Sequence, residues 1–135
     1  KIDLVVRGNC SLVTGIAGKS DNIRIVGIID RYLEHARIFQ FCAAGKDKMF
    51  IGSADWMPRN LNSRIEVVTP VYDPAIKDDL KRVIDYALRD NQQGRVVDGT
   101  GRNLPWHTGD ETAPFRSQET LYEHYRDMEA EEAAQ

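Results

Sequence analysis

The chain has 135 residues, enough for one domain with a real core and too few for two ordinary ones. Hydrophobic residues make up 41% and charged residues 29%, the balance of a globular rather than a disordered chain. A net charge of −3 provides no overall basic field for nucleic acid, so any anion site has to be a local cluster of Arg and Lys. No apolar run approaches the roughly 20 residues of a membrane span, and none reads as a signal peptide. The chain begins with Lys1 rather than Met and enters a strand at once, which reads as a piece of a longer protein. Cys10 and Cys42 lack metal-site spacing, and each lies in or beside an apolar run, so both read as buried free thiols, with a disulfide as the alternative.

Taken in order, IDLVV from Ile2 to Val6 reads as a buried strand ended by Arg7-Gly8. An arginine at the C-terminal mouth of a strand is placed to meet a ligand, although a solvated strand-end arginine fits equally well. Thr14 to Asn22 is a loop whose glycines match neither a Walker loop nor a dinucleotide fingerprint. Ile23 to Ile29 is a second strand, and Asp30 to Glu34 a tight turn or one helical turn. RIFQFC from Arg37 to Cys42 alternates, Ala43 to Lys48 is a hairpin loop, and Met49 to Ile51 pairs back. Trp56 to Asn60 breaks the ladder at Pro58, and Arg64 to Val71 is expected as a fourth core strand with Pro70 at its edge or end. Asp73 caps a helix with Pro74 at its first position, running to about Asp90. Its stripe of Ile76, Leu80, Val83, Ile84, Ala87 and Leu88 is core packing. Arg95 to Asp98 is a short edge strand, Gly99 to Glu111 an irregular connector, and Ser117 the cap of a last helix ending near Ala130. The order of elements predicts an α/β fold with a mixed sheet packed with helices.

The chemistry concentrates between Arg31 and Arg64. A hairpin there carries His35 near the start of one strand and Gly52-Ser53 near the end of the other, and antiparallel neighbours bring those points side by side. An imidazole, a guanidinium at Arg37, a hydroxyl and backbone N–H groups converge, which is equipment for work on a phosphoryl group. His107 and His124 read as surface histidines, and Arg59 and Arg64 as solvated arginines, with an anion-binding channel as the alternative for those two.

His35-x-Arg37, followed after a strand and turn by Gly52-Ser53-x-Asp55, is similar to the phospholipase D-like motif: H-x-K, a later aspartate, then G-S-x-N. Arg37 stands for the lysine, Cys42 for the aspartate and Asp55 for the asparagine. With those departures included, VVRGNCSL (5–12), NIRIVGIIDRYLEHARIF (22–39), IGSADWMPRNLNSRIEVVTPVYDP (51–74) and FRSQETLYEHY (115–125) resemble the C-terminal region of type-1 polyphosphate kinases.

That resemblance implies a phospholipase D-like α/β fold and an enzyme that reversibly transfers the terminal phosphoryl group of ATP to inorganic polyphosphate. It implies a phosphohistidine in a preceding catalytic domain that this chain does not contain, Mg2+ ligands likewise outside it, and ATP/ADP, polyphosphate and those other domains as partners. It makes His35 an acid/base residue and Arg7 a contact to nucleotide phosphates. From the residues themselves, Arg7, and more weakly Arg37, would hold phosphate oxygens, and Ser53 would add a hydroxyl donor. A carboxylate should orient the imidazole, and Glu66 in the following strand is the candidate. Residues 1–98 are expected as the core of the second catalytic domain and 99–135 as its connector and C-terminal helix. A homo-oligomeric, cytoplasmic enzyme is expected, with peripheral membrane association left open, and neither nucleic acid nor a protein-bound metal within this stretch. The competing readings are a phospholipase D-like phosphodiesterase or nuclease half-site and a non-catalytic polyphosphate-binding module.

Overall fold

The computed structural model of the protein describes residues 1–8, 10–106 and 113–134. His107 lies outside the described residues. The chain forms two compact units, one from Lys1–Leu33 and Val83–Gln135, the other from Glu34–Arg82.

In the first unit, β1 (Ile2–Val6) pairs in parallel with β2 (Ile23–Gly27), and β6 (Arg95–Val96) pairs antiparallel on the other side of β2. The central strand takes the core: Ile25 and Val26 are fully buried, with Ile28 just beyond them. β1 is not the buried strand expected, because it sits at the sheet edge and leaves Ile2 and Val5 more than two-fifths exposed. The last helix, α3 (Ser117–Ala133), starts at Ser117 rather than being capped by it. Ser117 instead gives its backbone N–H and its hydroxyl to Asp90.

In the second unit, β3 (Ile38–Phe41), β4 (Lys48–Gly52) and β5 (Val68–Val71) form an antiparallel sheet with β4 central. Met49, on the central strand, is the buried residue of the sheet. The 43–45 turn joins β3 to β4 and leaves Cys42 exposed, so that thiol is free but not buried. Trp56 to Asn60 does more than interrupt a ladder. Pro58 opens a short helix, α1 (Pro58–Ser63), as proline does at a first helical position. Its Asn60 is buried. The expected core strand from Arg64 is correspondingly shorter and lies outside the core, with Ile65, Val67 and Val68 all exposed.

Helix α2 (Pro74–Arg89) spans the division between the units after Arg82. Asp73 caps it as expected, its Oδ1 accepting from the N–H groups of Ala75 at 2.8 Å and Ile76 at 3.1 Å. No residue of this helix is fully buried, and Ile76 is half exposed, so its apolar stripe is less enclosed than the sequence suggested. The fold is mixed α/β, as the element order predicted, but it is built on two three-stranded sheets. Among the described residues, no helix is long and apolar enough to cross a membrane.

Candidate functional site

The site grows out of the β3–β4 hairpin. Alternating apolar residues in β3 and β4 fix the register, with Ile38 opposite Ile51 and Phe39 opposite Phe50. One step further, the Gly52 N–H donates to the Arg37 carbonyl at 2.9 Å. The His-x-Arg segment therefore runs alongside the Gly-Ser-x-Asp segment, as the sequence predicted.

Arg37 ties the two segments together. Its Nε donates to Asp55 Oδ1 at 3.0 Å, one Nη donates to the same carboxylate, and the other Nη donates to the backbone carbonyl of His35. The guanidinium beside Asp55 holds that carboxyl below the ordinary carboxylate range, with smaller help from the side chain of Asn60 and the charge of Arg59. Asn60 is delivered by α1, the element that sequence periodicity did not disclose. The pairing of Arg37 with Asp55 was also missed, although a signal existed: both positions depart together from the phospholipase D-like pattern.

Ser53 and Glu66 form a second link. The Ser53 hydroxyl donates to Glu66 Oε2 at 2.5 Å and accepts the Val67 N–H at 3.0 Å, while the Ser53 N–H donates to the Val67 carbonyl at 3.0 Å. Arg64 Nε lies 4.0 Å from Glu66 Oε1. The carboxylate expected to orient the imidazole thus meets Ser53 and Arg64, and the hydroxyl expected to face phosphate faces Glu66. His35 is exposed, and among the described residues its ring forms no hydrogen bond or ion pair. The hairpin therefore presents one imidazole whose supports are committed to each other.

Gly52 makes room for this arrangement. A Cβ there would meet Phe39 Cε2 at 3.2 Å and Val68 Cγ2 at 3.4 Å. Phe39 stacks on Trp56, with ring centroids 5.7 Å apart and an interplanar angle of 19°, and Trp56 is 73% exposed.

Arg7 belongs to the first unit. It is exposed, and among the described residues it has no hydrogen bond or ion pair. Gly8 follows at φ +90°, left-handed backbone that glycine adopts without strain, so the chain turns directly after the arginine at the end of β1.

The polyphosphate kinase C-terminal domain 2 family matches residues 1–118. The chain belongs to the polyphosphate kinase family. It is 47% identical to a polyphosphate kinase of Rhodopirellula baltica over 122 residues, covering 90% of this chain and 14% of that protein. It is 40% identical to the polyphosphate kinase of Escherichia coli K12 over 131 residues, covering 97% of this chain and 19% of that protein. The crystal structure of polyphosphate kinase from Porphyromonas gingivalis aligns with a TM-score of 0.86 at 42% identity, over 96% of this chain and 20% of that one. The chain therefore spans a fifth or less of the length of these polyphosphate kinases, and its mixed α/β fold is shared with a segment of one of them.

Proposed function

We propose that this chain is the second, phospholipase D-like catalytic domain of a polyphosphate kinase, which reversibly moves the terminal phosphoryl group of ATP onto inorganic polyphosphate. The phosphohistidine of that reaction lies in a domain outside the chain. The observation that carries the reading is the hairpin register, which runs the His35-x-Arg37 segment alongside the Gly52–Asp55 turn.

His35 acts as acid and base. As an imidazolium it gives its proton to the departing oxygen as the bond to phosphorus breaks. In the reverse direction the neutral ring takes that proton back. Arg7 contacts nucleotide phosphates with a fixed charge and a planar fork of donors. Glu66 serves the imidazole when its carboxylate exchanges the Ser53 hydroxyl for the ring N–H, and the same exchange frees that hydroxyl for a phosphate oxygen.

Mg2+ accompanies ATP in phosphoryl transfer and neutralises developing charge. The described residues do not gather into a site for it. Among the described residues no three His, Cys, Asp or Glu side chains gather, and Asp55 is committed to Arg37. Its ligands belong to other parts of the polypeptide.

The test is steady-state phosphoryl transfer by the intact natural polypeptide. His35→Gln should lower kcat about a hundredfold, the lower end of what positioned acid–base groups contribute. Glu66→Gln should lower it about tenfold through the same imidazole. Arg7→Ala should raise the KM for ATP. Full turnover in His35→Gln would remove His35 from the mechanism, and full turnover in Glu66→Gln would remove only the orienting role.

A further inference from the structure

Arg37 is surrounded by commitments that leave it little to offer a substrate. Its three guanidinium nitrogens all donate inside the unit, two to Asp55 and one to the His35 carbonyl. The side chain of Arg37 is 20% exposed while that of Asp55 is 44% exposed, so the cation is the more enclosed partner. The buried Asn60 and the charge of Arg59 act on the same Asp55 carboxylate. A guanidinium shared between a carboxylate and a carbonyl carries no net charge outward as a pair.

We propose that Arg37 and Asp55 form a neutral positioning pair. It fixes the backbone of His35 against the Gly52–Asp55 turn, and Asp55 withholds Arg37 from phosphate. The proposal rests on the reading of His35 as the residue that faces phosphate. Arg37 is then a positioning residue and not a phosphate ligand, although its charge and place in the motif suggest one. The carboxylate of Asp55 sets how much positive charge the hairpin shows to a polyanion. Removing that carboxylate adds one uncompensated positive charge and leaves the guanidinium free to swing outward.

Two opposite consequences follow, which a merely structural pair would not produce together. Asp55→Asn should bind a short-chain inorganic polyphosphate about threefold more tightly, because the released cation meets the anion, as expected for one added charge at an exposed site. The same variant should turn over about tenfold more slowly, because His35 loses its fixed backbone and binding is gained in the ground state only. Arg37→Gln should also lose about tenfold in kcat, yet bind polyphosphate only about threefold more weakly, the effect of the one negative charge it uncovers at Asp55. Asp55→Glu, which keeps the charge, should recover most of the turnover.

The experiment measures polyphosphate binding by calorimetry and phosphoryl transfer by steady-state kinetics, on the intact natural polypeptide. Weaker binding in Arg37→Gln by tenfold, or unchanged or weaker binding in Asp55→Asn, overturns the withholding of Arg37. Undiminished turnover in either variant overturns the positioning role. If Asp55→Asn does not fold, Arg37→Gln and Asp55→Glu decide both points. His35→Gln is measured beside them: full turnover there sinks the reading of His35, while the binding results for Arg37 and Asp55 still judge the pair.

Discussion

Gly52 and Arg37 face each other across the hairpin, the Gly52 N–H donating to the Arg37 carbonyl at 2.9 Å. The absence of a side chain at Gly52 lets Phe39 and Val68 close over that point. Gly52→Ala would place a methyl 3.2 Å from Phe39 Cε2, the far edge of a ring that can move. The expected cost is about 1 kcal/mol, the low end for overpacking. Because Phe39 stacks on Trp56, the indole N–H resonance of Trp56 should shift while that of Trp106, bonded to the Leu88 carbonyl at 2.8 Å in the first unit, stays in place. A variant with parental stability and an unmoved Trp56 resonance would show that the ring does not depend on the glycine.

Asp90 is fully buried at the end of α2, and its carboxylate is saturated. Oδ1 accepts from the N–H groups of Gln92, Gln93 and Gly94, and Oδ2 accepts from the N–H and hydroxyl of Ser117. One side chain thus closes the C-terminal end of α2 and holds the first residue of α3. Asp90→Ala leaves five donors without an acceptor, and unpaired buried groups cost about 1–3 kcal/mol each before water relieves them. A loss of about 3 kcal/mol or more is expected, measured by urea denaturation. Asp90→Asn should lose less, about 2 kcal/mol, because one side of its amide can still accept. Near-parental stability in the alanine variant would mean that water satisfies these donors fully.

Local signals in the sequence carried far, and long-range ones did not. Alternation in RIFQFC and the short turn after it specify the β3–β4 hairpin, and with it the approach of Arg37 to Gly52, because register follows from pattern and loop length. Asp73-Pro74 specified the start of α2 for the same reason, a cap and a fixed φ being properties of two adjacent residues. The helix at Pro58 was hidden because six residues offer too little periodicity, and proline ends a strand as readily as it begins a helix. Ser53 looked like a free donor because its partner, Glu66, is 13 residues away on the far side of α1. The bond of Asp30 to Arg116 spans 86 residues, and nothing local at either end announces it.

That bond makes stability depend on acid. Arg116 Nε donates to both oxygens of Asp30, at 3.2 and 3.0 Å, and one Nη donates at 2.5 Å. The guanidinium holds the Asp30 carboxyl below its ordinary value, against burial that pushes it upward, with the Arg31 N–H adding to the lowering. A carboxyl whose folded pKa is depressed stabilises the fold fully above its unfolded pKa, about 3.9, and loses that contribution as pH falls through the lower folded value. The gap in urea midpoint between the parent and Asp30→Asn should therefore be constant from about pH 7 to about pH 5 and narrow progressively below about pH 4. A gap that stays constant down to about pH 2 would show that the ionised pair contributes no such stability.

The link between Ser53 and Glu66 tests whether the hydroxyl serves the fold or the phosphate in the resting protein. Its 2.5 Å bond to a carboxylate and its 3.0 Å bond from the Val67 N–H occupy both of its roles, donor and acceptor. A double-mutant cycle of Ser53→Ala and Glu66→Gln isolates the pair, since each replacement removes the charged hydrogen bond. The expected coupling is about 1 kcal/mol, reduced by solvent at this exposed edge from the range for bonds to charged groups. The kinetic cycle carries separate information. If the hydroxyl reaches phosphate only by leaving Glu66, Glu66→Gln weakens its tether, and Ser53→Ala in that background should raise the KM for polyphosphate more than it does in the parent. Equal increases in both backgrounds would mean that Ser53 acts on substrate without regard to Glu66. No increase in either would leave the hydroxyl a structural clasp that joins the Gly-Ser turn to the segment leading into β5.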